Sequence, residues 1–216
     1  MPSREQLHKY QDRMINFIYT TPKCALWAGL GLGKTITTLT AIVDLIDSMA
    51  VSKVLIVAPL RVANSVWHKE AVNWQHTKHL KFSIVTGSEK ERLAALHKTA
   101  DVYVINRENV TWIVEHYAKK WPFDMIVLDE ASSFKSSSSQ RFKALRKTIP
   151  FTNRLVELTG TPSPNGLLDI WSQMYLLDCG ERLGRSMTAY KQRFFEAGYN
   201  GYSFKPVKSA DKIIHK

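Results

Sequence analysis

Short apolar runs alternate along this chain with segments whose apolar residues recur at helical spacing. The runs contain few polar residues, which predicts strands buried on both faces rather than strands with one face in water. Buried strands that alternate with helices are typical of an α/β fold in which helices cover both faces of a mainly parallel central sheet. The sequence therefore predicts a three-layer α/β/α domain. The predicted strands are 24–28, 54–58, 82–85, 102–105, 125–128 and 154–158.

The segments between these strands predict helices joined by short connections. Trp67, Trp74 and Trp112 fall at helical spacing among apolar residues, so we assign them to the core. The serine-rich stretch 132–139 is interpreted as a mobile surface loop. The predicted helices are 4–19, 34–49, 62–74, 89–97, 109–117, 140–147 and 167–177.

Several classes of protein are excluded by what the chain lacks. No apolar run reaches the roughly 18–20 residues that a membrane-spanning helix needs. The polar N-terminus leads into no apolar signal-peptide segment. Cys24 and Cys179 are the only cysteines, too few for a disulfide framework or a four-cysteine zinc site. We therefore expect a soluble, cytoplasmic protein with no membrane partner.

The chain is strongly basic, with 30 Lys and Arg residues against 19 Asp and Glu and a formal net charge of +11. Such a surface favours polyanionic partners, and nucleic acid is the commonest of these because each neutralised phosphate releases counterions. The alternative is a basic surface without a specific partner. Charge alone leaves both open.

A glycine-rich stretch with the sequence Ala-Gly-Leu-Gly-Leu-Gly-Lys-Thr connects the first predicted strand to a helix. Strand, glycine-rich loop, Gly-Lys-Thr and helix in this order are typical of a loop that binds nucleotide phosphates. Lys34 would reach the β- and γ-phosphates of a bound nucleotide, and the Thr35 hydroxyl would be a ligand of Mg²⁺. The alternative is a glycine-rich turn with an incidental lysine. The predicted loop residues are Gly29, Leu30, Gly31, Leu32 and Gly33.

Two carboxylates, Asp129 and Glu130, directly follow a predicted buried strand. The carboxyl ends of parallel strands form the edge at which such sheets bind ligands. Asp129 would hold Mg²⁺ opposite Thr35, and Glu130 would orient and deprotonate an attacking water. The alternative is a pair of residues that caps a helix N-terminus. With the glycine-rich loop upstream, the sequence favours a hydrolytic pair.

These motifs together resemble the superfamily-two helicases, and most closely their Swi/Snf-type branch of DNA translocases, with compact phage and bacterial members most similar. The acidic box has Ser132 at its fourth position where the family commonly has His. The resemblance runs from residue 7 to about residue 178 with the motifs in the family's order. The segments that carry it are 7–11, 31–36, 55–60 with 66–70, 129–132, and 158–165 with its following helix.

The resemblance implies that residues 1–198 form an N-terminal RecA-like P-loop domain that binds ATP and Mg²⁺. Residues 199–216 would be a basic C-terminal extension that leads towards a second RecA-like lobe. That lobe and its arginine fingers have no counterpart before Lys216. Since a stabilising arginine is worth several orders of magnitude in rate, we expect this chain alone to bind ATP weakly and hydrolyse it very slowly. The resemblance also places the protein in a bacterial or phage-infected cell.

By the same resemblance, Gln11 recognises adenine, and a Thr159–Gly160–Thr161 motif couples the phosphate site to DNA. The family contacts the backbone of duplex DNA through loops that follow three strands. Backbone amides, hydroxyls and Arg side chains suit phosphates and carry no base code. The alternative for each position is a turn or a helix cap. The candidate DNA residues are Arg61, Thr86, Asn106 and Arg107.

Two other functional classes remain open. A small phosphate-loop NTPase or kinase would share the glycine-rich loop, although the chain has no lid pattern and carries the Thr159–Thr161 motif. A nucleic-acid-binding module with a vestigial nucleotide site would share the basic charge. The intact set of Lys34, Thr35, Asp129 and Glu130 argues against such decay.

Overall fold

The computed structural model describes residues 1–198 and 203–214 and contains a six-stranded sheet at its centre. All neighbouring strands of this sheet are parallel, in the order β1-β6-β5-β2-β4-β3. The predicted α/β class and the mainly parallel sheet are therefore confirmed. The strands are β1 Lys23–Trp27, β2 Val54–Ala58, β3 Phe82–Val85, β4 Val102–Asn106, β5 Met125–Asp129 and β6 Arg154–Thr159; Phe195–Ala197 (β7) and Phe204–Pro206 (β8) form a separate antiparallel hairpin.

Helices lie on both faces of the sheet, as the three-layer prediction requires. Successive residues of a strand point to opposite faces; accordingly Leu55 and Val57 of β2 pack with the later helices, and Ile56 packs with α1, α2 and α3. This burial on both sides explains why the strands are continuously apolar. The helices are α1 Lys9–Thr20, α2 Lys34–Asp47, α3 Leu60–Asn73, α4 Glu89–Leu96, α5 Val110–Tyr117, α6 Gln140–Arg146, α7 Ile170–Asp178, α8 Met187–Phe194 and α9 Ala210–Ile214.

The single N-terminal helix predicted over residues 4–19 is wrong. A short 3-10 turn, Arg4–Gln6, ends at Leu7, whose backbone is extended with φ −67° and ψ 145°. His8 then forms the N-cap of α1, and its backbone N–H donates to the side-chain oxygen of Gln11 at 2.8 Å. Leu7 is buried in the core from this extended position, so helical spacing alone misassigned it.

Two further expectations change in the structure. The serine-rich stretch begins as a 3-10 turn, Ala131–Phe134, with Phe134 fully buried, so a mobile surface loop is wrong for its first half. The sequence predicts that the last dozen residues are a loosely packed extension, but Ala210 and Ile214 of α9 are buried against the core, so the described part of this segment is packed. The sequence also predicts a turn at 199–203, of which residues 199–202 lie outside the described residues. The domain division at residue 198 stays a prediction.

Within residues 1–198 and 203–214, no helix is both long and apolar enough to cross a bilayer.

Candidate functional site

The loops that follow the six strands share one side of the sheet, because all six strands are parallel. We call this side the C-terminal edge. Strand order places the loops after β1, β6 and β5 next to one another, followed by those after β2, β4 and β3. The predicted phosphate loop, coupling motif and acidic pair therefore lie together on one half of this edge. The four candidate DNA residues lie on the other half.

The glycine-rich loop turns sharply between β1 and α2. Gly31 and Gly33 have φ values of +78° and +70°, in the left-handed region that favours glycine. Gly33 is the N-cap of α2, and its carbonyl accepts from the N–H of Thr37 at 3.0 Å. Leu30 at the tip of the loop is 87% exposed. The loop thus presents its backbone and the start of α2 to the space at the C-terminal edge.

The side chain of Lys34 spans this loop. Its Nζ donates to the carbonyl oxygen of Ala28 at 2.7 Å and to that of Gly29 at 2.9 Å. The ammonium group therefore lies at the centre of the turn. Its charge also acts on the carboxylate of Asp129 across the site. Lys34 begins α2 and Asp129 ends β5. The two residues are 95 positions apart in sequence, and the sheet brings them to the same edge.

Gln11 of α1 is buried beside the same loop. Its side-chain oxygen caps α1, and its side-chain nitrogen approaches the carbonyl oxygen of Leu32 at 3.5 Å, a weak contact. A β-carbon at position 33 would overlap that nitrogen, so Gly33 is required for the close approach. The segment before β1 is therefore packed onto the glycine-rich loop, at the side where α1 begins.

Asp129 is the last residue of β5, and its Oδ2 accepts from the indole N–H of Trp67 at 2.9 Å. Burial raises the pKa of this carboxyl above its ordinary value; the Trp67 hydrogen bond opposes that shift, and the charge of Glu130 adds to it. Trp67 lies in the core, as its helical spacing predicts, but the spacing gives no sign of this bond. Nothing in a local pattern could link two residues 62 positions apart.

Glu130 adopts a left-handed backbone conformation with φ 57° and ψ 58°. Such a conformation is uncommon for a residue other than glycine, and strained positions of this kind cluster at functional sites. Glu130 lines a cleft of about 460 Å³ together with Leu30, Gly160 and Thr161. The cleft is therefore lined by the tip of the glycine-rich loop, by the second residue of the acidic pair and by the two residues that follow β6.

The end of β6 lies directly against the glycine-rich loop. The N–H of Ala28 donates to the carbonyl oxygen of Thr159 at 3.2 Å, and the N–H of Thr161 donates to Oγ1 of Thr159 at 3.1 Å. Gly160 lies so close that a β-carbon there would contact the Ala28 carbonyl at 3.6 Å. The motif and the loop therefore form one packed unit.

Helix α7 holds the loops that follow β5 and β6. The hydroxyl of Ser172 donates to the carbonyl of Lys135 at 2.8 Å. The amide of Gln173, which is fully buried, donates to the carbonyls of Pro162 at 2.7 Å and Asp169 at 3.0 Å. Adjacent residues of one helix thus fix both loops.

The candidate DNA residues differ in how free their side chains are. Arg61 in the first turn of α3 is exposed, and within the described residues its guanidinium has no hydrogen-bond or carboxylate partner. The Thr86 hydroxyl donates to Oδ1 of Asn64 at 2.7 Å. Arg107 is half-buried and paired with Glu108 at 3.0 Å.

Asn106 is buried, and both of its polar atoms are used inside the turn after β4. Its Nδ2 donates to Glu108 at 2.9 Å, and its Oδ1 accepts from Asn109 at 2.7 Å. This is the turn chemistry that the sequence analysis gave as the alternative. The side chain of Asn106 therefore orders the turn that carries Arg107.

Comparisons with known proteins agree with this geometry. A family model described as the SNF2-related domain matches residues 10–197. The protein p41 of Acyrthosiphon pisum secondary endosymbiont phage 1 is 42% identical over 194 residues, which cover 87% of this chain and 42% of the phage protein. The DNA excision repair protein ERCC-6-like of Mus musculus is 29% identical over 197 residues, covering 85% of this chain and 16% of the mouse protein.

A solved structure shows the same fold. The Sulfolobus solfataricus SWI2/SNF2 ATPase core in complex with dsDNA matches with a TM-score of 0.73 at 24% identity, over 88% of this chain and 39% of that chain. The chain thus spans less than half the length of these relatives. The family resemblance drawn from the motifs and the RecA-like fold are confirmed. The chain belongs to the SNF2-related family, and its fold matches that of the SWI2/SNF2 ATPase core.

Proposed function

We propose that this chain is the ATP-binding lobe of an ATP-dependent DNA translocase, with residues 1–198 as the nucleotide-binding domain. One observation carries the proposal: Leu30 of the glycine-rich loop, Glu130 of the acidic pair, and Gly160 with Thr161 line one cleft on the C-terminal edge. This edge is where parallel α/β sheets bind their ligands.

The glycine-rich loop binds the phosphates of ATP. The backbone around Gly31 and Gly33 and the N-terminus of α2 offer N–H groups and a positive partial charge to an anion. The Lys34 ammonium, bonded to Ala28 and Gly29 in this structure, exchanges those carbonyls for phosphate oxygens. Gln11 recognises the adenine base, a role supported by its packing against Gly33 beside the loop. Leu30 and Leu32 complete the loop.

The donor groups of Asp129 and Thr35, at the same edge of the sheet as the cleft, fit Mg²⁺. Within the described residues, no three His, Cys, Asp or Glu side chains are close enough to hold a metal by themselves. One carboxylate, one hydroxyl and phosphate oxygens are the usual ligand set of a magnesium ion that arrives with a nucleotide. Asp129 and Thr35 supply the protein ligands, and the ion, when bound, neutralises charge on the phosphates. Glu130, which lines the cleft, orients the attacking water and accepts its proton.

The other half of the C-terminal edge contacts the DNA backbone. The Sulfolobus solfataricus SWI2/SNF2 ATPase core, solved in complex with dsDNA, supports duplex DNA as the partner, and the net charge of +11 supports a polyanion. Arg61 and Arg107 provide the charge, and Asn106 orders the turn beside Arg107. The Thr86 hydroxyl, which donates to Asn64 in this structure, exchanges that partner for a phosphate oxygen. These groups bind phosphates without reading sequence.

Robust hydrolysis requires a second RecA-like lobe, in the same chain or in another. The relatives are more than twice as long as the region they share with this chain, which leaves room for such a lobe. Arginines supplied across a lobe interface raise the rate of phosphoryl transfer by orders of magnitude. The phage origin of p41 supports action in the cytoplasm of a bacterial or phage-infected cell.

The test is the ATP hydrolysis rate, with and without duplex DNA, for this chain alone and for this chain followed by a second lobe. We expect slow hydrolysis by the chain alone and DNA-stimulated hydrolysis in the two-lobe protein. In that protein, Thr161→Ala should keep ATP binding and lose DNA stimulation. Equal, DNA-independent rates in both proteins would contradict the proposal and favour a small stand-alone NTPase.

A further inference from the structure

We infer that Trp67 is a positioning residue that orients the Asp129 carboxylate and links it, through helix α3, to the DNA-contacting half of the C-terminal edge. This inference rests on the proposed function and adds a second route between the two sites, separate from the Thr159–Thr161 motif.

A hydrogen bond joins Trp67 to Asp129. The Trp67 side chain is fully buried, and its indole N–H donates to Oδ2 of Asp129 at 2.9 Å. An indole has one donor and no acceptor, so its position dictates where the partner oxygen lies. Groups that hydrogen-bond a metal-binding carboxylate fix its orientation and commonly change metal affinity by ten- to a hundredfold when removed.

Trp67 lies on the buried face of helix α3. Ala63, Trp67 and Ala71 form the buried face of this helix, and each is at most 1% exposed. The two alanines let the helix pack closely on the sheet, so the indole moves only if the helix moves. The position of Trp67 is therefore set by helix α3 rather than by strand β5, which ends at Asp129.

Helix α3 also reaches the candidate DNA-binding residues. Its first turn begins directly after β2 and carries the exposed Arg61. One turn before Trp67, Asn64 accepts from the hydroxyl of Thr86, in the loop after β3. Arg61 and Trp67 are separated by six residues, about 9 Å along the axis. A phosphate bound at Arg61 and Thr86 thus acts on the same short helix that holds Asp129.

The test uses Trp67→Phe, which keeps an aromatic ring and removes the N–H. Binding of a non-hydrolysable ATP analogue is measured as Mg²⁺ is titrated, with and without duplex DNA. We expect the Mg²⁺ concentration for half-maximal effect to rise on the order of tenfold, and binding measured in EDTA to stay unchanged. Trp74→Phe is the matched control, since its indole donates to Glu70 on the same helix at 3.1 Å, away from the cleft.

The DNA arm tests the link. In the wild type, DNA should lower the Mg²⁺ requirement, and Arg61→Ala and Trp67→Phe should each abolish that effect, with no further loss in the double variant. If Trp67→Phe does not fold, benzothienylalanine at position 67 keeps the indole shape without the N–H.

An unchanged Mg²⁺ requirement in the Trp67 variant would overturn the positioning role. A raised requirement that still responds to DNA as in the wild type, or a wild type that shows no DNA effect, would overturn the α3 link. Failure of the wild type to bind the analogue at all would instead overturn the proposed function.

Discussion

The side-chain amide of Gln11 packs directly against Gly33, the N-cap residue of α2. Position 33 has no room for a β-carbon, and its φ of +70° lies in the left-handed region. Gln11 is otherwise held by the cap of α1. The helix before the sheet and the glycine-rich loop are therefore fixed to each other through one glycine.

This contact predicts unequal effects of alanine at two glycines of one loop. Gly31→Ala and Gly33→Ala each force a non-glycine residue into the left-handed region, at about 1–2 kcal/mol. Position 31 has no heavy atom within 4 Å of the added carbon, whereas position 33 would overlap Gln11. Urea denaturation should show the larger loss for Gly33→Ala. Adding Gln11→Ala to Gly33→Ala should recover the difference, and equal losses in the two single variants would refute the contact.

We expect the Gln173 side chain to hold in place the segment that follows the Thr159–Thr161 motif. Gln173→Met keeps the length of the side chain and removes the donors to Pro162 and Asp169. We expect a loss of about 1–2 kcal/mol in the free energy of unfolding. Hydrogen exchange should become faster in residues 160–166, which the bond holds down. Gln192→Met on the exposed face of α8 is the control, and unchanged exchange in both proteins would show that Gln173 does not hold this loop.

Glu157 predicts a pH dependence of stability. This residue of β6 is fully buried, and neither carboxyl oxygen has a hydrogen-bond partner among the described residues. Burial raises the pKa of Glu157 well above 4.5, against the opposing charge of Arg182. The folded state therefore holds this proton more tightly than the unfolded chain. Its stabilising effect is complete below the unfolded pKa and is lost as the pH rises towards the folded pKa.

Glu157→Gln removes this proton equilibrium. As the pH rises from about 5 to about 8, the wild type should lose the stabilisation that this proton provides, and the variant has no such stabilisation to lose. The free energy of unfolding of the variant should therefore rise relative to that of the wild type. Glu157→Leu, which suits the neighbouring Ala25 and Leu128, should show the same trend. A difference that is constant or that falls with pH would mean that the carboxyl group finds a partner in the folded state.

The strands could be predicted from the sequence, because each one is a continuous apolar run. The meeting of the site loops at one edge could also be predicted, because continuously apolar runs indicate parallel strands. Continuous apolar runs correctly marked the starts of five strands, and β5 extends one residue beyond its predicted end, to Asp129. Parallel strands then bring their carboxyl ends to one edge whatever their order. The actual order, β1-β6-β5-β2-β4-β3, could not be predicted because the runs are similarly apolar.

What the sequence could not supply depends on contacts between distant residues. Leu7 matched the helical pattern but packs from extended backbone, because His8 and Gln11 cap the helix after it. Trp67 matched the pattern of a core residue and is one, yet its indole nitrogen bonds Asp129. Asn106 suited both a phosphate contact and a turn, and only its partners in the fold show that the turn uses it.

The central claim is that the Lys34 loop binds Mg·ATP, and equilibrium binding of a non-hydrolysable ATP analogue tests it most directly. The proteins to compare are the wild type, Lys34→Ala and Lys90→Ala, the last on the exposed surface of α4. Wild type and Lys90→Ala should bind with a Mg²⁺-dependent affinity. Lys34→Ala should bind at least about tenfold more weakly, since a charged hydrogen bond to phosphate is worth roughly 1.5–3 kcal/mol. Equal affinities in all three proteins would contradict the account.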